Sequence, residues 1–587
     1  MKENMLRNIA LLLLLSTMLL APAYAAGSGW PQWGAGPAHE NSSDATAQAL
    51  EFTRADIVYD PLAPAESSAN GNLLVHYQAP IADGADVFMT FKTGTYTDAA
   101  HRDSQIWNVK RLTWTSGELG EVWSIASDWK PEPSAIAGFE PVFHPALHAN
   151  TVYAPGFGGS LLRLRRSDGF DLGRVKPFGD TLDPQIFVAG PLTIDADGNV
   201  FYNAIKLDPT APLTNDVLGA WLVRVAPDGE FATVTFATLV PDGPAADAAC
   251  EGQFTNAELP WPPAPDAVAP DAGISCGSQR PGINVAPAVA SDGTIYTLSR
   301  AHRNDRYGYL IAVNANLTPK WHASLRDRLN DGCNVLLPAN GSPGGCRSGA
   351  TTGVDPATNR PGAGRVSDSA SSSPAIAPDG SVLYGAFTRY NYSSGHLMKF
   401  SAEGDYLGSY RSGWDLSPSI FRHDGTYSIV IKENHYDVGS YCGLDDALCG
   451  SPRSTVTPDD PEQYLITQID ASLDVEWQFK ATNTQSCARQ PDGSLQCMSD
   501  HPNGFEWCVN AAAIDANGTV FANSEDGELY AISQGGALAG HRFLQLALGA
   551  AYTPMAIGAD GLIYTQNYGH LFVVGAAPDP IFADGFD

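Results

Sequence analysis

Four short stretches gather histidine, arginine, tyrosine and asparagine: SRAHRNDRYG (299–308), FTRYNYSSG (387–395), IKENHYDVGSY (431–441) and TQNYGH (565–570). A fifth, KTGTYTDAAHRDSQ (92–105), has a similar composition. They offer Arg300, His302, Arg389, Tyr390, Lys432, Glu433, His435, Asn567 and Tyr568 as candidate ligand-binding residues. Arginine forks bind carboxylates and tyrosine rings stack on sugars, so the set suits a polyhydroxylated or anionic ligand. A His/Tyr pair beside a neutralising Arg could also abstract a proton next to a carboxylate, the logic of a polysaccharide lyase. Glu433 and His435 are candidates for a base or a metal ligand. Against both stands the plain reading that exposed loops are polar. No catalytic residue and no metal site is assigned. Turns such as DADGN (195–199) lack the residue order and closing Glu of a calcium loop. No G-x-S-x-G elbow, Walker loop or H-E-x-x-H segment is present.

The elements that would place these stretches together are set by a recurring phrase. It reads as a small residue and Pro, a short apolar run, Asp-Gly or Asn-Gly, then Val/Ile with Tyr or Phe. Clear copies surround Pro191 (AGPLTIDADGNVFYNAI), Pro287 (VAPAVASDGTIYTLSR), Pro374 (SSPAIAPDGSVLYGAF) and Pro554 (YTPMAIGADGLIYTQN). The phrase begins at Pro80, Pro145, Pro191, Pro287, Pro374, Pro418, Ala512 and Pro554. Its shortest spacings fit one four-stranded blade, and the longer ones a blade plus an insertion. After most phrases comes an alternating apolar run, a turn and a further strand, as in YLIAVNANLTPKWHASL (309–325). Alternation buries one strand face between neighbours, and Asp-Gly suits hairpin turns. The last phrase stops at HLFVV (570–574), one strand short, and EFTRADIVYD (51–60) can supply the missing one. The expectation is an all-β, eight-bladed β-propeller, with seven blades as the alternative. It is closed by an N-terminal strand and carries disulfide-stapled loop insertions. In such a ring the second-to-third strand loops share one rim, which is where the polar stretches fall.

Composition narrows the class. The chain has 587 residues, 58 Gly, 42 Pro and a formal charge of −30. That charge repels nucleic acid and anionic headgroups, so no nucleic-acid partner is expected. Lys2 and Arg7 precede the apolar run Ile9–Leu20, and Ala23-Tyr24-Ala25 is a small-x-small cleavage site. Residues 1–26 read as a secretory signal peptide, 27–579 as the propeller and 580–587 as a tail. No later segment is long enough to span a membrane. Nine cysteines in an exported chain suggest disulfides. Spacing proposes Cys250–Cys276, Cys333–Cys346 and Cys442–Cys449, with one bridge among Cys487, Cys497 and Cys508.

The opening GWPQWGAGP (29–37), the P-x-x-x-x-DG-x-[IV]-Y phrases, LIAVN (310–314) and LYAIS (529–533) resemble the PQQ-binding-like (quinoprotein-alcohol-dehydrogenase-like) β-propeller superfamily. The resemblance implies the propeller over nearly all of the mature chain. It is specific for fold and weak for function, because its members include quinone-dependent dehydrogenases, assembly scaffolds and proteins without a cofactor. The dehydrogenases carry a vicinal disulfide and a Glu, Asn and Asp set for calcium. This chain has no adjacent cysteines, and no motif matches that set. No cofactor is therefore predicted; pyrroloquinoline quinone with calcium is a possibility that no motif supports. The W-x-x-G docking repeats are also poorly kept, most strand-ending tryptophans lacking the downstream glycine. PIFADGFD (580–587) resembles C-terminal tails of secreted Gram-negative proteins. The expectation is a non-catalytic binding or scaffold protein of the periplasm or cell exterior, holding a protein or carbohydrate ligand at the rim. The alternative is an enzyme at the channel mouth, a quinone-dependent oxidoreductase or a polysaccharide lyase.

Overall fold

Each repeated phrase folds into the inner half of one antiparallel sheet, and the computed structural model contains eight such sheets among its described residues, six of four strands and two of five. Those residues are 29–577 except 71–74, 77, 100, 134–138, 252–274, 331–353, 356–359, 369–371, 389–394, 413–415, 436–462, 508–510 and 549–553. The stretches expected to be a signal peptide and a tail, with Arg389, Tyr390, Cys508 and the expected pairs Cys333–Cys346 and Cys442–Cys449, lie outside them.

Blade 1 runs through Ile81–Asp83, Asp86–Gly94, Gln105–Thr115 and Glu118–Ala126. The innermost strands of blades 2 to 7 are Ala146–His148, Thr193–Ile194, Ala288–Val289, Ala375–Ile376, Ser419–His423 and Ala513–Ile514. Blade 8 consists of Ala556–Ile557, Ile563–Asn567 and His570–Gly575, with Phe52–Val58 as its outer strand. Phe52 pairs with Gly575 and Val58 with His570, so the first strand completes the last blade as expected. Each repeated Pro, or Ala512 in its place, stands one or two residues before an innermost strand. There it starts the strand without costing the ladder a donor.

The residues before Phe52–Val58 thread past every blade in order. Trp30 exchanges backbone hydrogen bonds with Ala82, and the carbonyl of Pro31 accepts from Leu147 N. The Gln32 side chain pairs with both backbone groups of Ile194. The carbonyls of Pro37, Ala38, Glu40 and Asn41 accept from Val289, Ile376, Ile420 and Ile514 N, and Gln48 N donates to Gly561. These partners sit beside the first-to-second strand turns, so the thread crosses the face opposite the polar rim.

Cores form between blades. Phe88, Val109 and Trp123 of blade 1 pack on Val152, Leu162 and Leu164 of blade 2, and each such side chain contributes about 1.5–3 kcal/mol. The tryptophan docking that looked poorly kept in sequence is present in space. Trp123 donates its indole N–H to Arg166 O and Trp321 to Ala402 O, each in the following blade. A Cβ on Gly169 or Gly404 would lie 2.9 or 2.8 Å from those rings, and both glycines have positive φ. The docking glycine belongs to the next blade's outer turn, not to the segment just downstream of the Trp.

The insertions decorate the rings. Gln279–Pro281 adds to the second strand of blade 4. Gln485–Arg489 and Leu495–Ser499 form a separate hairpin. Disulfides join Cys250 to Cys276 and Cys487 to Cys497. No helix among the described residues is long and apolar enough to cross a membrane.

Candidate functional site

The predicted polar residues sit on the ends of second strands and are largely buried, not in exposed loops. Arg300 ends Ile295–Ala301, Lys432, Glu433 and His435 end Thr426–His435, and Asn567 ends Ile563–Asn567. Arg300, His302, Lys432, Glu433 and Asn567 are all buried. Burial obliges each polar group to find a partner, and the partners define three groups.

The first lies on blade 4. Asp368 accepts two parallel hydrogen bonds from Arg280, at 2.7 and 2.5 Å, and one from Arg300 at 3.1 Å. Arg280 Nε donates to His302 Nδ1 at 2.9 Å, and Arg300 also donates to the His302 carbonyl. Burial pushes the Asp368 carboxyl up, but the two guanidinium charges outweigh it and hold it well below the ordinary range. Burial, then the Arg280 charge, lowers His302 to about 4. The imidazole is therefore neutral, with its Nδ1 lone pair already engaged. The structure thus brings Arg300 and His302 together, through Arg280 and Asp368. Those two partners went unpredicted because they lie 88 residues apart and outside the repeated phrase.

The second lies on blade 6. Glu433 accepts from Thr467 Oγ1 at 2.6 Å, Tyr410 Oη at 2.8 Å and Gln478 Nε2 at 3.1 Å, and pairs with His435 Nε2 at 2.8 Å. Burial raises the Glu433 carboxyl, but these hydrogen bonds and the His435 charge leave it below its ordinary value. The third lies on blade 8, where Asn567 Nδ2 donates to Gln545 O. Tyr568, at φ 49, and Gly569, at φ 80, make the tight turn between two strands. A Cβ on Gly569 would lie 2.4 Å from Asp60 O, so the chain passes there only as glycine.

Sequence reasoning quoted Lys92 but missed what surrounds it. Its ammonium is 3% exposed and contacts Asp60 at 3.0 Å, Glu66 at 2.5 Å and Glu140 at 2.7 Å, all three carboxylates being buried. Burial alone would lower the Lys92 affinity for its proton; the three carboxylates reverse that and raise it. The helix Ala63–Asn70 brings in Glu66, and the turn after Phe52–Val58 brings in Asp60. On the opposite face, the thread and blades 6 and 7 line an open pocket of about 580 Å³ whose wall includes the Arg422–Glu40 ion pair.

Among the described residues, the one set of three acidic, histidine or cysteine side chains near enough to share an ion is Asp60, Glu66 and Glu140. The Lys92 ammonium already stands among those oxygens. The two disulfides join cysteines 26 and 10 residues apart, so neither is vicinal.

Eight antiparallel blades, the last completed by the first strand, define the class: this is an eight-bladed β-propeller. No family model and no curated protein matches the chain. Among solved structures it is similar to a europium-containing methanol dehydrogenase, with 10% identity, a TM-score of 0.48 and coverage of 92% of this chain and 89% of that one. It is likewise similar to the quinohemoprotein alcohol dehydrogenase from Comamonas testosteroni (10% identity, TM-score 0.48, coverage 95% and 82%). A third is BamB from Moraxella catarrhalis (9% identity, TM-score 0.37, coverage 89% and 97%).

Proposed function

We propose that the mature chain is an exported, non-catalytic binding protein that takes a protein or carbohydrate ligand on the rim carrying Arg300, His302, Lys432, Glu433, His435, Asn567 and Tyr568. The observation that supports this most is that the rim's candidate bases, His302 and Glu433, already have their lone pairs engaged by neighbouring side chains. A general base needs a free lone pair facing substrate and a proton affinity near the working pH. The His302 Nδ1 lone pair is taken by Arg280. Glu433 is held ionised by His435, Thr467, Tyr410 and Gln478. Groups locked in this way suit a preorganised recognition surface, which saves the entropy of ordering on binding. The signal sequence and the two disulfides support a place in the periplasm or outside the cell.

The test has two arms. Wild-type protein and the Tyr568→Ala and Glu433→Gln variants are compared on oligosaccharide and peptide arrays. The expected result is saturable binding that weakens in both variants, with the melting temperature near wild type in Tyr568→Ala and lowered in Glu433→Gln by loss of its buried carboxylate. In parallel, dye reduction is measured with added pyrroloquinoline quinone and calcium, and ultraviolet absorbance with acidic polysaccharides. Turnover in either assay that is lost in Glu433→Gln would overturn the non-catalytic reading.

A further inference from the structure

Buried hydrogen-bond donors find partners in nearly every folded protein, and a buried charge without one costs several kcal/mol. Among the described residues the buried arginines are Arg102, Arg280, Arg300, Arg306 and Arg365. Four of them have hydrogen-bond or ionic partners. Arg102 does not: it is 6% exposed, and both its terminal nitrogens, Nη1 and Nη2, lack any partner. In a chain with 64 acidic residues, a buried guanidinium left without a carboxylate is a specific arrangement.

The same part of blade 1 holds other unmet groups. Gln105 is fully buried, and neither its Nε2 nor its Oε1 has a partner. The indole nitrogens of Trp107 and Trp129 are buried and unpartnered too. These residues are contiguous. Gln105 N donates to Arg102 O at 3.1 Å. Gln105 and Trp107 share one face of the strand Gln105–Thr115, being two residues apart. The Trp107 and Trp129 rings meet edge to face at 5.4 Å between centroids. Lys130 donates to the Gln105 carbonyl and lies 5.4 Å from the Trp107 ring centroid. Five donor nitrogens therefore stand against one acceptor oxygen. What such a group lacks is a source of oxygen lone pairs.

We propose that Arg102, Gln105, Trp107 and Trp129 form a binding site for the carboxylate of a small organic acid, separate from the rim residues of blades 4, 6 and 8. A planar carboxylate matches the planar guanidinium fork, and its remaining lone pairs can accept from the amide and indole N–H groups. The aromatic walls, Trp107, Trp129 and the adjoining Phe143, suit the carbon frame of an organic acid. The three carboxylates around Lys92, whose ammonium lies 5.9 Å from the Trp107 ring, disfavour a dianion such as phosphate.

The full chain is titrated with acetate, benzoate and D-galacturonate, with neutral D-galactose and inorganic phosphate as comparisons. Tryptophan fluorescence and melting temperature are the readouts. At least one carboxylate binds with a Kd of about 1 mM or tighter, galactose and phosphate bind at least tenfold more weakly, and Arg102→Gln weakens the carboxylate at least tenfold. Trp129→Phe, which keeps an aromatic ring but removes the N–H donor together with the indole's second ring, weakens it severalfold and decides the matter if Arg102→Gln does not fold. Binding of none of the three acids, preference for phosphate, or affinity unchanged in the variants that fold would overturn the assignment.

Discussion

Replacing Lys92 by Met removes one ammonium and leaves three buried carboxylates with oxygens within 4.8 Å of one another. Stripping one partner from a buried ion pair costs about 3–5 kcal/mol. Here one cation answers three anions, so that range is a lower bound for the variant near neutral pH. The loss has a pH signature. In the folded variant the crowded carboxylates favour protonation, so the folded state binds more protons than the unfolded one, and stability rises as the pH falls. Wild-type Lys92 adds no slope over the same window. Its raised proton affinity stabilises the fold fully below the ordinary lysine value of 10.5 and is lost only at higher pH. The assay is urea unfolding followed by tryptophan fluorescence at about pH 8 and about pH 5. Lys92→Met should show a much lower midpoint at the higher pH and recover part of it at the lower. A wild-type midpoint at the higher pH, or further loss on acidification, would refute the account of the cluster.

Four further outcomes are expected. His39 and His144 are lowered to about 4 and His396 to about 3, burial being the main cause; each therefore stabilises the ring fully above the ordinary histidine value of 6.5, and that stability is lost as the pH falls through the folded value. His39→Gln should flatten the acid limb of a melting-temperature profile relative to wild type. Asp368→Asn leaves Arg280 and Arg300 buried without a carboxylate and should cost about 3–5 kcal/mol in urea unfolding near neutral pH, with weaker further loss below about pH 4 than wild type. Gly404→Ala forces a Cβ to 2.8 Å from the Trp321 ring at φ 94 and should lower stability by about 1–3 kcal/mol, whereas Gly117→Ala, with positive φ but open space, should cost less. Replacing Cys250 and Cys276 together by Ala opens a loop with a sequence separation of 26 and should cost about 3 kcal/mol in calorimetry.

The ring was legible because its signals are local. Pro287 before Ala288–Val289, Asp292-Gly293 at the turn and the alternating strand after it state the blade within twenty or so residues, and the arrangement recurs around the chain. The missing strand at HLFVV pointed to Phe52–Val58 for the same reason. The site was legible only in part. Arg300 and His302 do meet, as do Glu433 and His435, because each pair lies on one strand end. Asp368, Arg280, Asp60, Glu66 and Glu140 come from insertions and connections, where no period marks a position. Burial of the rim residues also escaped the sequence, since a polar stretch after a strand looks the same whether it faces solvent or an ion partner. The path of residues 30–48 left little trace because most of its hydrogen bonds are made by the backbone.

That path imposes an order on assembly. Residues 30–48 are synthesised first, yet their partners extend from Ala82 to Gly561, so they can be fully engaged only after the last blade exists. Contacts this distant along a chain form slowly. Until then the newborn molecule has a free strand at one end and an unfilled sheet edge at the other. Two molecules meeting in that state can complete each other, giving an exchanged dimer, so refolding yield should depend on dilution.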